Sequence, residues 1–239
     1  HYYYAKFAYG HSCYNTCVSD QLTSDLTKIF PQFQFHTVYN GIKQPEAGRQ
    51  MEIYRRANAI NMIMIAGLYD RYIKGLQYVL PVLQRLNRTG HSVVLHFVGG
   101  GEYLKEYKKM ACELGMDENC IFYGQCEKTK VYDILKEMDF FVCASIFESF
   151  SCATAEAMMC GKPVVATRCG GPNSIVTKET GILVEKENEQ ALYDGISKMI
   201  KDYQMYSPDL IASYASDKFS VGNICRQYLD IYEKICAGN

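Results

Sequence analysis

The sequence predicts an α/β protein built on a parallel, doubly wound sheet. Short apolar runs recur through the middle of the chain, and longer amphipathic stretches separate most of them. The runs are continuous rather than alternating, as in strands buried on both faces. Hydrophobic residues make up 48% of the 239 and charged residues 21%, enough to bury a sizeable core. Strands that alternate with helices form a parallel sheet with helices on both sides.

The elements follow in order. In residues 1–40, positions 16–20 read as a strand, and Leu22, Leu26 and Ile29 as a helix stripe. Phe33, Phe35, Thr37 and Tyr39 then alternate as a strand into the Asn40-Gly41 turn. Six sheet strands are expected at INMIMIAG (60–67), SVVLHFVG (92–99), CIFYG (120–124), DFFVCAS (139–145), KPVVAT (162–167) and GILV (181–184). Leu76, Val79, Leu80, Leu83 and Leu86 form one helical stripe between them. Leu104, Tyr107, Ala111 and Leu114 form a second, and Val131, Ile134 and Leu135 a third. Beyond residue 185 only helical patterns remain, at 191–203, 208–214 and 221–235.

Composition excludes several classes. The net charge is −1, and Arg55-Arg56 and Lys108-Lys109 are isolated basic pairs, so nucleic acid is not an expected partner. The longest apolar run, near 62–69, is far below the ~20 residues of a membrane span. No secretory signal is visible. None of the eleven cysteines forms a C-x-x-C pair, and Cys112, Cys143, Cys152, Cys160 and Cys169 lie in or beside apolar segments. They read as buried, reduced thiols of a cytoplasmic protein. Residue 1 is His, so the chain is expected to be a fragment or a processed product. His96, inside a strand, reads as a satisfied core residue.

The stretch 139–171 carries the chemistry. Two glutamates, Glu148 and Glu156, have seven residues between them, the first in a loop and the second on a helix. Eight positions of helix rise span roughly 12 Å. Carboxylates that far apart share neither a proton nor a metal, but they can hold two polyols. Between them lies a helix N-terminus (Phe150, Ser151, Cys152, Ala153) whose free N–H groups favour phosphate. Hydroxyls, phosphate, hydroxyls is the layout of a nucleotide sugar. Other unusual residues also stand at strand ends, where open α/β sheets bind ligands: Lys74-Gly75, Gly99-Gly100-Gly101, Gly124 and Gly170-Gly171.

The segments YNGI (39–42), GLYDRYIKGL (67–76), FVGGGE (97–102), FYGQ (122–125), ESFSCATAEAMMCGKPVVAT (148–167), CGG (169–171) and GILV (181–184) carry a family resemblance. FSVGNICRQYLDIYEKI (219–235) resembles the closing helix of the same fold. The chain resembles the Rossmann-like, C-terminal donor-binding domain of a family 4 retaining glycosyltransferase (GT-B fold, glycosyl transferases group 1) over about residues 36–236. The resemblance implies that Lys74 binds the donor diphosphate, that Glu148 meets hydroxyls of the transferred sugar and that Glu156 meets those of the ribose. Glu148 and Lys74 are the implied catalytic residues. The resemblance also implies that Gly99, Gly100 and Ser149 border the donor, that the N–H groups of Phe150, Ser151, Cys152 and Ala153 cover its sugar and phosphate, and that the backbone around Cys126 borders the base. The family usually has Arg after the glycine of the first strand. Here Leu68 follows Gly67, and Arg71 is the candidate substitute, folding back over the phosphates. Ser151 stands where Gly is common.

The expected division is an acceptor-domain remnant and interdomain strand at 1–40, the nucleotide-sugar-binding domain at 41–204, and C-terminal helices at 205–239. The last helix, with Ile224, Tyr228, Ile231 and Ile235, is expected to expose an apolar stripe that promotes self-association. The implied function is transfer of a hexose, with retention, from a nucleoside-diphosphate sugar to a glycan or lipid-linked acceptor held by the missing N-terminal domain. The fragment alone is expected to be inactive for transfer. No cofactor and no metal are expected, since no D-x-D set stands at a strand end. The resemblance allows the full-length enzyme to sit peripherally at the inner face of a membrane. Two other readings stay open. One is a nucleotide-sugar epimerase of the same fold. The other is a non-catalytic nucleotide-binding module or NAD-type domain, although the G-x-G-x-x-G opening is missing after the first strand.

Overall fold

The computed structural model describes residues 2–45 and 53–237. The chain opens with helix α1 (Tyr2–Gly10), strand β1 (Thr16–Cys17), helix α2 (Asp20–Ile29) and strand β2 (His36–Thr37). β1 and β2 pair in parallel as a separate small sheet. The main sheet takes its strands from the next stretch. β3 (Ile60–Ile65), α3 (Leu76–Arg88), β4 (Val93–Val98), α4 (Leu104–Glu113), β5 (Cys120–Gly124), α5 (Lys128–Glu137) and β6 (Phe140–Cys143) come first. α6 (Cys152–Met159), β7 (Val164–Thr167), α7 (Gly171–Ile175), β8 (Gly181–Val184) and α8 (Glu189–Asp202) follow. Two helices end the chain, α9 (Pro208–Phe219) and α10 (Val221–Cys236).

The six-stranded sheet is parallel throughout, in the order β5-β4-β3-β6-β7-β8. The chain winds outward from β3 to β5, then returns to lay β6 against the other side of β3. That reversal leaves a crevice beyond the carboxyl ends of β3 and β6, where such sheets bind ligands. Alternate residues of each strand serve opposite faces. Met62 and Met64 join Leu95, Phe97 and Phe140 under α3 and α8, while Ile63, Phe141 and Val164 pack with α5, α6 and α9. Both faces are buried, which is why the strands read as unbroken apolar runs. No helix among the described residues is long and apolar enough to cross a membrane.

Three expectations need correction. The alternation over residues 33–39 yields a strand of only two residues. β2 can pair only as far as β1 lasts, and β1 ends where Ser19 caps α2. The stripe on α10 is not left open: Ile224 and Ile231 are buried with Val38, and Tyr14, Tyr39, Tyr228 and Ile235 pack around them. The apolar side chains that α10 exposes are Val221, Leu229 and Tyr232. All eleven cysteines are free thiols, yet Cys112 and Cys152 are exposed rather than interior. The helices α1 and α7 had no expected counterpart. His96 is a satisfied core residue: its Nε2 meets Asn61 Oδ1 at 3.1 Å and its Nδ1 meets Tyr123 Oη at 3.0 Å.

Candidate functional site

A cleft of about 510 Å3 opens at the crevice between the two halves of the sheet. Close backbone approaches build it. Gly99, after β4, has φ +142°, and a Cβ there would stand 1.9 Å from the Ala66 carbonyl oxygen. Gly75, which leads into α3, has φ +74°, and a Cβ there would stand 1.9 Å from the Ala144 carbonyl oxygen. Glycine alone allows both contacts. The second contact brings the start of α3 against the loop after β6, and so brings Lys74 to Glu148.

Lys74 Nζ lies 2.7 Å from Glu148 Oε1, and both side chains are largely buried. Ser145 Oγ donates to the same oxygen at 2.8 Å. Two donors therefore fix Glu148 through Oε1, and Oε2 has no partner among the described residues. The Glu148 main chain is held as well: its N–H donates to Cys169 O at 2.9 Å, and the Gly171 N–H donates to Glu148 O at 2.7 Å.

The loop then turns into α6. Ser151 adopts a left-handed conformation (φ +77°), which explains the fit of glycine at this position. Its hydroxyl meets Thr154 Oγ1 at 2.8 Å. The five N–H groups of residues 149–153 have no acceptor among the described residues. Together with the positive end of α6 they form a nest for an anion. Only four positions of α6 separate Cys152 from Glu156, so the two glutamates are not joined by eight helical rises as the spacing suggested. Glu156 is nearly buried on α6 and forms an ion pair with Lys128 at the start of α5. The pKa of Tyr132 behind Glu156 is pushed up to about 12, by burial first and by the Glu156 charge next.

The cleft brings together Lys74, Gly99, Gly100 and Cys126 with Glu148, Ser149, Phe150, Ser151, Cys152, Ala153 and Glu156. It does not bring in Arg71. That guanidinium points to a different hollow, where it forms an ion pair with Glu106, and its carbonyl accepts from Tyr107 Oη. Leu68 is fully buried, its N–H donating to Gly100 O at 2.7 Å. Its neighbours Gly67 and Tyr69 face the cleft instead. Lys74 is thus the one cation among the described residues lining it. Sequence reasoning missed Asn40, Tyr69, Gln125 and Ser145, which also line the cleft, and Lys128 beside it. Tyr69, Gln125 and Ser145 follow strand ends and could have been found by that rule; Lys128, in a KTK run, looks like a solvated helix start. No group of three His, Cys, Asp or Glu side chains among the described residues is placed to hold a metal ion.

The sequence and fold of the chain are similar to those of known proteins. An uncharacterised glycosyltransferase of Methanocaldococcus jannaschii is 26% identical over 93% of the chain and 60% of its own length. The GDP-mannose-dependent alpha-(1-6)-phosphatidylinositol monomannoside mannosyltransferase of Mycolicibacterium smegmatis is 27% identical over 66% of the chain and 43% of its own length. Among solved structures, sucrose-phosphate synthase from Thermosynechococcus elongatus superposes with a TM-score of 0.83 at 19% identity, over all of this chain and 62% of that one. Anabaena Alr3699/HepE in complex with UDP and glucose gives 0.80 at 21% identity, over 98% and 66%. The chain thus spans about 60% of the length of relatives that match nearly all of it. The model of the glycosyl transferases group 1 family matches residues 50–213, well over half of the sequence, and the chain belongs to that family.

Proposed function

We propose that the cleft is the donor site of a retaining hexosyltransferase and takes a nucleoside-diphosphate sugar. One observation carries the reading: Lys74, the unbonded N–H groups of 149–153, Glu148 and Glu156 line a single cleft at the sheet's switch point. The diphosphate lies against Lys74 and the N–H nest. Glu156 accepts from the ribose hydroxyls and the backbone at Cys126 borders the base. Glu148 accepts from hydroxyls of the sugar through its free Oε2. The charge that builds on the departing diphosphate is met by groups already aimed at it, so little reorganisation is needed in the transition state. Lys74 and the nest take the part a metal plays in other transferases, and no cofactor is required. The bound UDP of one structural neighbour and the GDP-mannose named for one relative support a nucleotide donor.

The full-length protein would hold its acceptor, a glycan or a lipid-linked sugar, in a domain facing this cleft. In that division residues 1–40 form the edge of the acceptor side, 41–204 the donor domain, and 205–239 the C-terminal helices, including the closing helix that returns toward the N-terminal half. The setting we propose is the cytoplasm, with peripheral attachment to the membrane's inner face where the acceptor is lipid-linked.

The test is calorimetric titration of UDP, GDP, ADP and their sugars into the protein, with and without EDTA. One nucleoside diphosphate and its sugar should bind, equally well in EDTA. The absence of binding by any member overturns the donor site. Binding followed by isomerisation of the sugar, without transfer, would make the protein an epimerase.

A further inference from the structure

A second cavity, of about 610 Å3, runs along β8, the outermost strand of the sheet. It shares no lining residue with the donor cleft. Three separate segments each bring one cation to it: Arg168 from the turn after β7, Lys178 from the loop before β8, and Lys198 from α8. Thr177 and Tyr206 line it too, and no carboxylate among the described residues does. Lys198 has no ion pair or hydrogen bond among the described residues. The charge acting on Lys178 is that of exposed Glu179, and Arg168 reaches Glu185 at 3.4 Å with both side chains largely in solvent.

The strand edge adds a donor. Val164 N–H bonds to Thr180 O and Arg168 N–H to Val184 O, so those residues turn their carbonyls toward β7. Alternate residues of a parallel strand bond to opposite sides. Leu183, just before Val184, therefore turns its N–H outward into the cavity, where no further strand among the described residues follows. The acids beside Arg168 and Lys178 stand in solvent, which screens them, and no printed ion pair joins Lys198 to an acid, so the cavity keeps a net positive charge. A multiply charged anion meets all three cations at once, and guanidinium, ammonium and peptide N–H donors suit phosphate oxygens.

We propose that this cavity is a second anion site, which takes a phosphate-bearing ligand independently of the donor cleft. The phosphate comes either from a free ester or from the headgroup of an anionic lipid, and the experiment separates the two. Inorganic pyrophosphate is titrated into the Lys74→Ala protein, in which the cleft has lost its cation, and amide shifts are followed by NMR. Pyrophosphate should still bind, moving the amides of Thr177, Lys178 and Leu183. Lys178→Gln with Lys198→Gln should weaken that binding at least tenfold and flatten its salt dependence, at an unchanged melting temperature. Vesicles of phosphatidylglycerol and of phosphatidylcholine form the other arm. Sedimentation with the first only, lost in the double variant, assigns the lipid source; pyrophosphate binding without vesicle binding assigns a free ester. The proposal is overturned if neither pyrophosphate nor vesicles bind the Lys74→Ala protein, or if the double variant binds them as well as its parent.

Discussion

Lys74 and Glu148 share one ion pair, so the two side chains do not act independently on a ligand. Removing Glu148 frees Lys74 for phosphate. Glu148→Ala should therefore leave nucleoside diphosphate affinity equal or improved, while it weakens the nucleotide sugar by about 1.5–3 kcal/mol, the range for a lost charged hydrogen bond. Glu156→Ala should weaken both ligands by a similar amount, because the ribose is common to them. Calorimetry on the two ligands decides this; an equal loss of both on Glu148→Ala would remove the sugar assignment. His96 sets a pH limit on the fold. Burial, with the Arg55 charge second and Asp139 opposing, lowers its pKa from 6.5 to about 4. The unfolded chain takes up this proton first as pH falls. The stabilisation is thus fully present above pH 6.5 and is lost between pH 6.5 and 4, by an upper limit of about 3 kcal/mol. Urea midpoints across that range should fall less steeply for His96→Asn than for the parent; parallel profiles would show that the histidine does not carry the effect.

At the scale of elements, the segment after β3 separates two readings of the sequence. The family pattern has Arg where Leu68 stands, and from that pattern alone Leu68→Arg is expected to supply a phosphate cation. The structure reverses that expectation, because Leu68 lies in the core with its N–H bonded to Gly100. A guanidinium there has no water and no acid, so Leu68→Arg should destabilise the fold by about 3 kcal/mol or more, read as a lower urea midpoint. A fully stable variant with tighter diphosphate binding would mean that this segment can turn residue 68 into the cleft. The same segment shows what was legible. The six sheet strands and their helices could be read because burial on both faces leaves a strong local signal. The glutamates and Lys74 could be placed because strand ends are fixed by where the apolar runs stop. Which side chain of 67–71 faces inward was not legible, since it depends on a loop's backbone path and not on periodicity. α7 was missed because Gly-Pro-Asn reads as a turn, and α1 because its aromatic residues bury none of their number.

Over the whole molecule, the N-terminal unit is tied to the loop of the cleft. It has its own small core, with Cys17, Phe30 and Phe35 at its centre, and it reaches the cleft loop through the start of α2. Ser19 is fully buried there. Its Oγ donates to the Ser149 carbonyl at 2.6 Å and accepts the Leu22 N–H at 3.3 Å, so one hydroxyl both caps α2 and holds the cleft loop. Beside it the Gln21 N–H donates to Ser174 Oγ at 3.1 Å, which ties α2 to α7. Tyr39 completes the support, its ring lying 5.9 Å from that of Phe150 and 5.3 Å from that of Phe219. The loop that presents the N–H nest is thus braced from the N-terminal unit across 130 residues of sequence. Ser19→Ala removes the cap and leaves the Ser149 carbonyl unpaired, at a cost of about 1–2 kcal/mol in stability. On the proposed donor reading the loop also binds, so nucleotide-sugar affinity should fall several-fold, and Ser19→Thr should restore most of it. Thr27→Ala, on an exposed face of the same helix, serves as the control and should leave affinity unchanged. Titration of the three variants tests the coupling: if Ser19→Ala is less stable yet binds like its parent, α2 supports the fold without supporting the cleft.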